Sequence, residues 1–272
     1  MSVRTIAKGV LSRLPWVDGM FRRLVWSRLH FPEQEMRFLG GLSAGTCDIA
    51  VDVGAATGSY AWILNRISRQ VFAFEPGEAH GRALALVQAG TCIELVAAAV
   101  GADEGTVSMY TPGKDTHALH SATLSTVNPV AGQADVSIRQ VPQVSLDGYL
   151  LGSRDAGRSI DLLKVDVEGY EFEVFRGAQK LIEKHHPLVI CEVEARHDPE
   201  YLRTFNFLRG LGYSVYVFQG RAFRLFEEDD IRPLQSAAAL EVRLSGRYDP
   251  ASNVYINNFT FQHPLSRIKV AA

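Results

Sequence analysis

Cysteine is scarce in this sequence: Cys47, Cys92 and Cys191 are the only three, and no two of them form a C-x-x-C pair. That excludes a disulfide framework, argues against a structural zinc site, and points to a reducing compartment, the cytoplasm. Long apolar runs are missing too. Nothing approaches the roughly 20 residues that cross a bilayer, and Met1–Met20 lacks the compact apolar segment and small-residue cleavage site of a secretory signal. There is little net charge, −2 in all, so no overall field gathers nucleic acid, which is not expected as a partner. Internal repeats and low-complexity tracts are absent.

The one concentration of positive charge lies at the start of the chain. Arg4, Lys8, Arg13, Arg22, Arg23 and Arg28 are interleaved with Ile6, Val10, Leu14, Phe21, Leu24, Val25 and Leu29, the pattern of a basic amphipathic helix. Two readings stay open for it: packing on the core or on a second copy in a homo-oligomer, or a peripheral contact with the inner membrane face. Residues 1–46 are therefore read as an N-terminal helical extension, and 47–272 as one domain, since 272 residues make two full domains a tight fit. Hydrophobic residues at 47% and charged residues at 21% are those of an ordinary globular chain.

Within the domain, strands alternate with helices. Ile49–Gly54 reads as a buried strand, Ser59–Ile67 as a helix, Val71–Phe74 as a strand, Glu78–Gln88 as a helix and Cys92–Val100 as a third strand region. This order predicts a doubly wound α/β fold with a mostly parallel sheet. Thr106–Tyr110 and Val136–Val144 read as β segments around the loop Thr111–Gln133, a candidate lid. The alternation resumes with strand Ile160–Val165, helix Tyr170–Lys184, strand Leu188–Val193, helix Pro199–Leu211 and strand Ser214–Phe218. Phe223–Phe226 is a further β candidate, and Val254–Gln262 reads as a final strand.

The strongest motif is Asp52-Val-Gly54-Ala55-Ala-Thr57-Gly58, between the first strand and the first helix. Glycines there let the backbone approach a ligand closely, with helix N–H groups facing its polar atoms. The spacing is not the G-x-G-x-x-G of a dinucleotide site. Asp52 would repel a pyrophosphate but suits the cationic amino acid end of a sulfonium nucleoside. Phe74-Glu75-Pro76 puts an acid at the end of the second strand, where nucleoside-binding α/β folds hold ribose hydroxyls. The plainer alternatives are that Asp52 caps the helix and that Glu75 is a solvated strand-end acid.

A third element, Asp161-Leu-Leu-Lys164-Val-Asp166-Val-Glu168-Gly169-Tyr-Glu171, is more specific. With Phe74-Glu75-Pro76, Ser145-Leu146-Asp147 and Cys191-Glu192-Val193-Glu194, it resembles the FkbM family of methyltransferases over about Asp48–Glu194. The resemblance implies a Rossmann-like class I methyltransferase fold with a seven-stranded sheet. It also implies an S-adenosyl-L-methionine-dependent O-methyltransferase acting on a small-molecule or glycan acceptor: a sugar, glycolipid or secondary metabolite. By the same resemblance Asp52, Gly54, Ala55, Thr57, Gly58 and Tyr60 are expected around the methionine end, Glu75 and Pro76 at the ribose, and Ala98 and Ala99 in the adenine turn.

Chemistry is expected at the ends of the fourth and fifth strands. Lys164, Asp166 and Glu168 alternate, so an extended backbone projects them to one side, as it does Glu192 and Glu194. Asp166, Glu168 and Glu192 are the candidate catalytic acids, with His197 as the preferred histidine. Asp166 and Glu192 could also hold Mg2+ through oxygen ligands. A structural ion-pair network around Lys164 is the competing reading, and Glu168 and Glu171 could simply favour a helix start. His117 and His120 lie in the long loop, and His185 and His186 follow a helix end. Two other function classes remain: a Rossmann-type NAD-dependent oxidoreductase, and a non-catalytic binding or membrane-associated module.

Overall fold

The computed structural model describes residues 34–112, 123–125, 136–152, 157–219, 222–228, 230–236 and 255–270. Helix α1 (Gln34–Gly40) leads into strand β1 (Cys47–Val53), helix α2 (Ser59–Ile67), strand β2 (Ser68–Phe74), helix α3 (Glu78–Gln88) and strand β3 (Ile93–Val96). After β4 (Ala99–Val100), β5 (Gly105–Pro112), β6 (Thr123–Ser125) and β7 (Val136–Val144), the chain forms a short π-helix, Asp147–Leu151. Then follow β8 (Ile160–Val165), α4 (Glu171–Arg176), α5 (Gln179–His185), β9 (Leu188–Glu192), α6 (Leu202–Gly210), β10 (Ser214–Gln219), β11 (Ala222–Leu225) and β12 (Asn258–Gln262).

Eight strands form the main sheet in the order β11-β10-β12-β9-β8-β1-β2-β3. The run from β9 to β3 is parallel, while β12 pairs antiparallel with both β9 and β10. The parallel strands are buried on both faces, which is why β1 and β8 read as nearly continuous apolar runs. One face packs under α1, α2 and α3 with Leu39, Ile63, Leu64 and Leu84. The other packs under α4, α5 and α6 with Phe175, Leu181, Phe205 and Leu208. The chain leaves β1 toward β2 on one side and returns to β8 on the other, opening a crevice at the strands' carboxyl ends.

Several elements differ from expectation. The sheet has eight strands rather than seven, because β11 folds back on β10 as an antiparallel edge. The third strand region divides: β3 stays in the main sheet, while β4 joins a second sheet of order β4-β7-β5-β6. The expected helix Tyr170–Lys184 is two helices. Asp147 explains the break, since its carboxylate accepts the Lys180 and Leu181 N–H groups at 3.1 and 2.8 Å and starts α5 afresh. The candidate lid Thr111–Gln133 contains β6, paired with β5, and its remainder beyond Pro112 lies outside the described residues.

The basic stretch before Phe31 also lies outside the described residues, as do His117 and His120. Helix α1 follows that stretch and buries Met36 and Leu39 in the core. Among the described residues, no helix is long and apolar enough to cross a membrane.

Candidate active site

The turn after β1 is held from three directions. Gly54 has φ +78°, and a Cβ there would lie 1.8 Å from the Asp166 carbonyl oxygen, so the ends of β1 and β8 approach as only glycine permits. Ala56 has φ +46°, unusual for a residue with a side chain, and its N–H donates to Glu75 Oε2 at 2.8 Å. Gly58, at φ +91°, has no space for a Cβ against Leu84.

Above this turn lies a cavity of about 450 Å³, within the range of small-molecule sites. Of the residues expected at a site, Gly54, Thr57, Glu75, Pro76, Ala98, Ala99, Asp166, Glu168 and Glu192 line it. The fold therefore gathers residues from the ends of β1, β2, β8 and β9 around one space. Ala56, Phe74 and Val100, from the same motifs, line it as well, as do Ser59, His80 and Met109, which motif reading did not single out as site residues. His80 sits on α3 with Nδ1 3.9 Å from Glu75 Oε1. Met109 arrives from β5 in the second sheet, which no local signal at the first motif announces.

Glu75 is 7% exposed. Its two oxygens accept the Ala56 N–H at 2.8 Å and the Gly77 N–H at 2.6 Å, which fixes the carboxylate at the cavity wall. Burial raises its pKa against those hydrogen bonds. Each carboxylate oxygen can accept more than one hydrogen bond, so the group can still hold hydroxyls.

Asp52 does not stand in the cavity wall. It is 1% exposed on the core side of β1, takes the Ala61 N–H in the first turn of α2, and leaves Oδ2 without a hydrogen-bond partner. Burial pushes it up to about 7, with Lys164 opposing and Asp166 and Glu75 adding to the rise. The structure thus puts Asp52 beneath α2, where it accepts an N–H of the first turn although Gly58 holds the N-cap position, because inward pleating of β1 directs it there. Ala55, Gly58 and Tyr60 shape the turn and helix from behind, and the Tyr60 ring carries Lys164 Nζ 4.7 Å from its centroid.

The acid wall is also built differently from an extended strand. β8 ends at Val165, and Glu168 turns at φ +53°. Lys164 is fully buried while Asp166 and Glu168 reach the cavity, so the three do not share one face. Lys164 Nζ lies 3.3 Å from Asp166 Oδ2. Glu168 Oε2 lies 2.5 Å from Nδ1 of His197, which stands behind the cavity wall. Burial lowers the His197 pKa, but the hydrogen bond and charge of Glu168 outweigh it and the net direction is upward.

Glu192 Oε1 accepts the Asn257 amide at 2.5 Å, and the same amide reaches Glu194 Oε1 at 3.0 Å. Glu194 is buried and paired with Arg196, outside the cavity wall. The Gln235 amide donates to Val193 O and Ile256 O, locking the segment before β12 beside β9. Asp166 and Glu192, the carboxylates expected for Mg2+, both line the cavity, and among the described residues no three His, Cys, Asp or Glu side chains group as metal ligands. Lys164 and Asn257 engage these carboxylates. His185 ends α5 and His186 follows it, away from the cavity.

Comparison with known proteins bears on this geometry. The Methyltransferase FkbM domain matches residues 52–215. The methyltransferase sdnD of Sordaria araneosa is 30% identical over 178 residues, which cover 56% of this chain and 68% of that one. Among solved structures, the methyltransferase FkbM of Methylobacillus flagellatus KT is similar with a TM-score of 0.47 and 15% identity, over 87% of this chain. This chain spans about half, 47%, of that protein's length. The precorrin 8w decarboxylase of Methanobacterium thermoautotrophicum follows at a TM-score of 0.39 and 13% identity, covering 84% of this chain and 85% of that one. With the family's domain matched across the strands that build the cavity, this chain belongs to the FkbM methyltransferases.

Proposed function

We propose that this chain is an S-adenosylmethionine-dependent O-methyltransferase that acts on a hydroxyl of a sugar, glycolipid or secondary metabolite. The observation that carries the reading is Glu75, a carboxylate fixed by two backbone N–H groups at the edge of a cavity of about 450 Å³. In nucleoside-binding α/β folds an acid at this strand end holds ribose hydroxyls.

The cofactor supplies a methyl group on a sulfonium, whose positive charge disappears on transfer. Around it, Gly54 and Thr57 offer close backbone approach, and Ala98 and Ala99 give a small apolar flank. Asp166, Glu168 and Glu192 make the facing wall acidic, which suits a cationic ligand. Those residues also orient the acceptor hydroxyl, and orientation is the main requirement of an in-line displacement. The three cysteines are all free, which fits a reducing cytoplasm. Self-association and a peripheral membrane contact through the N-terminal basic segment belong to the same proposal.

Calorimetric titration with S-adenosylmethionine, with and without Mg2+, and with NAD as the control ligand, tests this reading. The wild type should bind S-adenosylmethionine and not NAD. Glu75→Ala should weaken binding by about 10- to 100-fold, the worth of charge-assisted hydrogen bonds. Equal affinity in the variant, or binding of NAD alone, would refute the assignment.

A further inference from the structure

Three carboxylates, Asp166, Glu168 and Glu192, line the cavity at the ends of β8 and β9, and each is backed by a different group. Asp166 has the buried Lys164 ammonium 3.3 Å away, a group with three donors and no acceptor, so it cannot take up a further proton. Glu192 receives an amide N–H from Asn257 at 2.5 Å, a donor with no capacity to take up a proton. Glu168 has the His197 imidazole 2.5 Å away, and an imidazole accepts a proton near neutral pH.

The backbone builds this last pairing. Glu168 and Gly169 turn at φ +53° and +98°, and a Cβ on Gly169 would lie 2.9 Å from the His197 carbonyl oxygen. The turn is thus laid directly on His197, with no space for a side chain between them. Buried Glu171 accepts the Gly169 N–H at 2.9 Å and closes it. A non-glycine residue at positive φ is strained and persists where its surroundings over-determine it. Glu168 and Glu194 face the imidazole and favour its protonation, while Arg196 opposes it. Burial raises the Glu171 carboxyl to about 7, with Asp166 and Glu168 as its negative neighbours adding to the rise.

We infer that Glu168 is the catalytic base for the acceptor hydroxyl, and that His197 is the positioning residue behind it that shares the proton. The inference rests on the methyl-transfer reading above. Before transfer, neutral His197 donates its Nδ1 hydrogen to ionised Glu168. The acceptor O–H bond breaks and its proton passes to the Glu168–His197 pair. The acceptor oxygen keeps the O–H electron pair and forms the bond to the methyl carbon, while the pair of the broken S–C bond stays on sulfur as a neutral thioether. Afterwards the Glu168–His197 pair holds one more proton, which returns to solvent.

The test uses the full chain as wild type, Glu168→Gln and His197→Gln, with His197→Asn in reserve should the glutamine variant not fold. One arm follows the His197 imidazole by NMR against pH, identified by its loss in the His197 variant. Its midpoint should lie above that of an ordinary histidine and fall back in Glu168→Gln. This arm decides without any acceptor, and a midpoint indifferent to Glu168 overturns the proposal. A second arm measures S-adenosylhomocysteine release with a panel of methyl hexopyranosides as probes. Glu168→Gln should slow it by about 10²–10⁴-fold. His197→Gln should move the rising limb of the pH profile to lower pH, and an unshifted limb in that variant also overturns the proposal. Calorimetry with S-adenosylmethionine separates the two ideas: His197→Gln, which changes a side chain behind the cavity wall, should keep its affinity within about twofold, whereas a wild type that does not bind it sinks the methyl-transfer reading itself.

Discussion

Glu171 and Asp52 have 2% and 1% of their surface exposed, and burial pushes both carboxyl groups up to about 7. In the unfolded chain such groups ionise near about 4, so the folded state binds their protons more tightly. The stability they contribute is fully present below the unfolded value and is lost as pH rises to about 7. Glu171→Gln keeps an oxygen for the Gly169 N–H and removes the ionisation. Its unfolding free energy in urea should therefore fall less than the wild type's between pH 5 and 8, by a difference of roughly 3 kcal/mol at most. Equal slopes for the two proteins would show that Glu171 ionises freely in the fold. Motif reading identified Glu75 and Gly54 because strand-end acids and turn glycines leave local marks. It misplaced Asp52, because the same acid at a strand end can point into a cavity or under a helix, and pleating against α2 decides which.

At the scale of elements, α2, α3 and β8 have the boundaries expected from apolar periodicity and flanking glycine, signals that lie within each segment. The break between α4 and α5 has no such local sign, since its cap comes from Asp147, 33 residues earlier. Asn257 escaped for the same reason, reaching Glu192 across 65 positions. Gly177 sits at the break, where a Cβ would lie 2.0 Å from the Gly101 carbonyl oxygen. Gly177→Ala should cost about 1–3 kcal/mol as overpacking against backbone. For a domain of this size, that lowers the melting temperature by roughly 2–4 °C per kcal/mol. Thermal unfolding followed by circular dichroism checks it, and an unchanged melting temperature would mean that the two backbones separate freely.

Across the whole molecule, the antiparallel third of the sheet is cemented by aromatic rings. Phe259 on β12 is fully buried, with its ring centroid 4.9 Å from Phe205 and 5.4 Å from Phe226. Phe259→Ala should cost about 3–5 kcal/mol in urea unfolding, and a loss under about 1 kcal/mol would mean that this end of the sheet is dispensable. β12 pairs with β9 on one side and β10 on the other, although both precede it in the chain by dozens of residues. During synthesis on the ribosome, then, a long nascent polypeptide waits with two strand edges open and a central slot to fill. Until Asn258–Gln262 emerges from the exit tunnel those two edges lack their native neighbour, and unpaired strand edges are where a growing chain is exposed to mispairing.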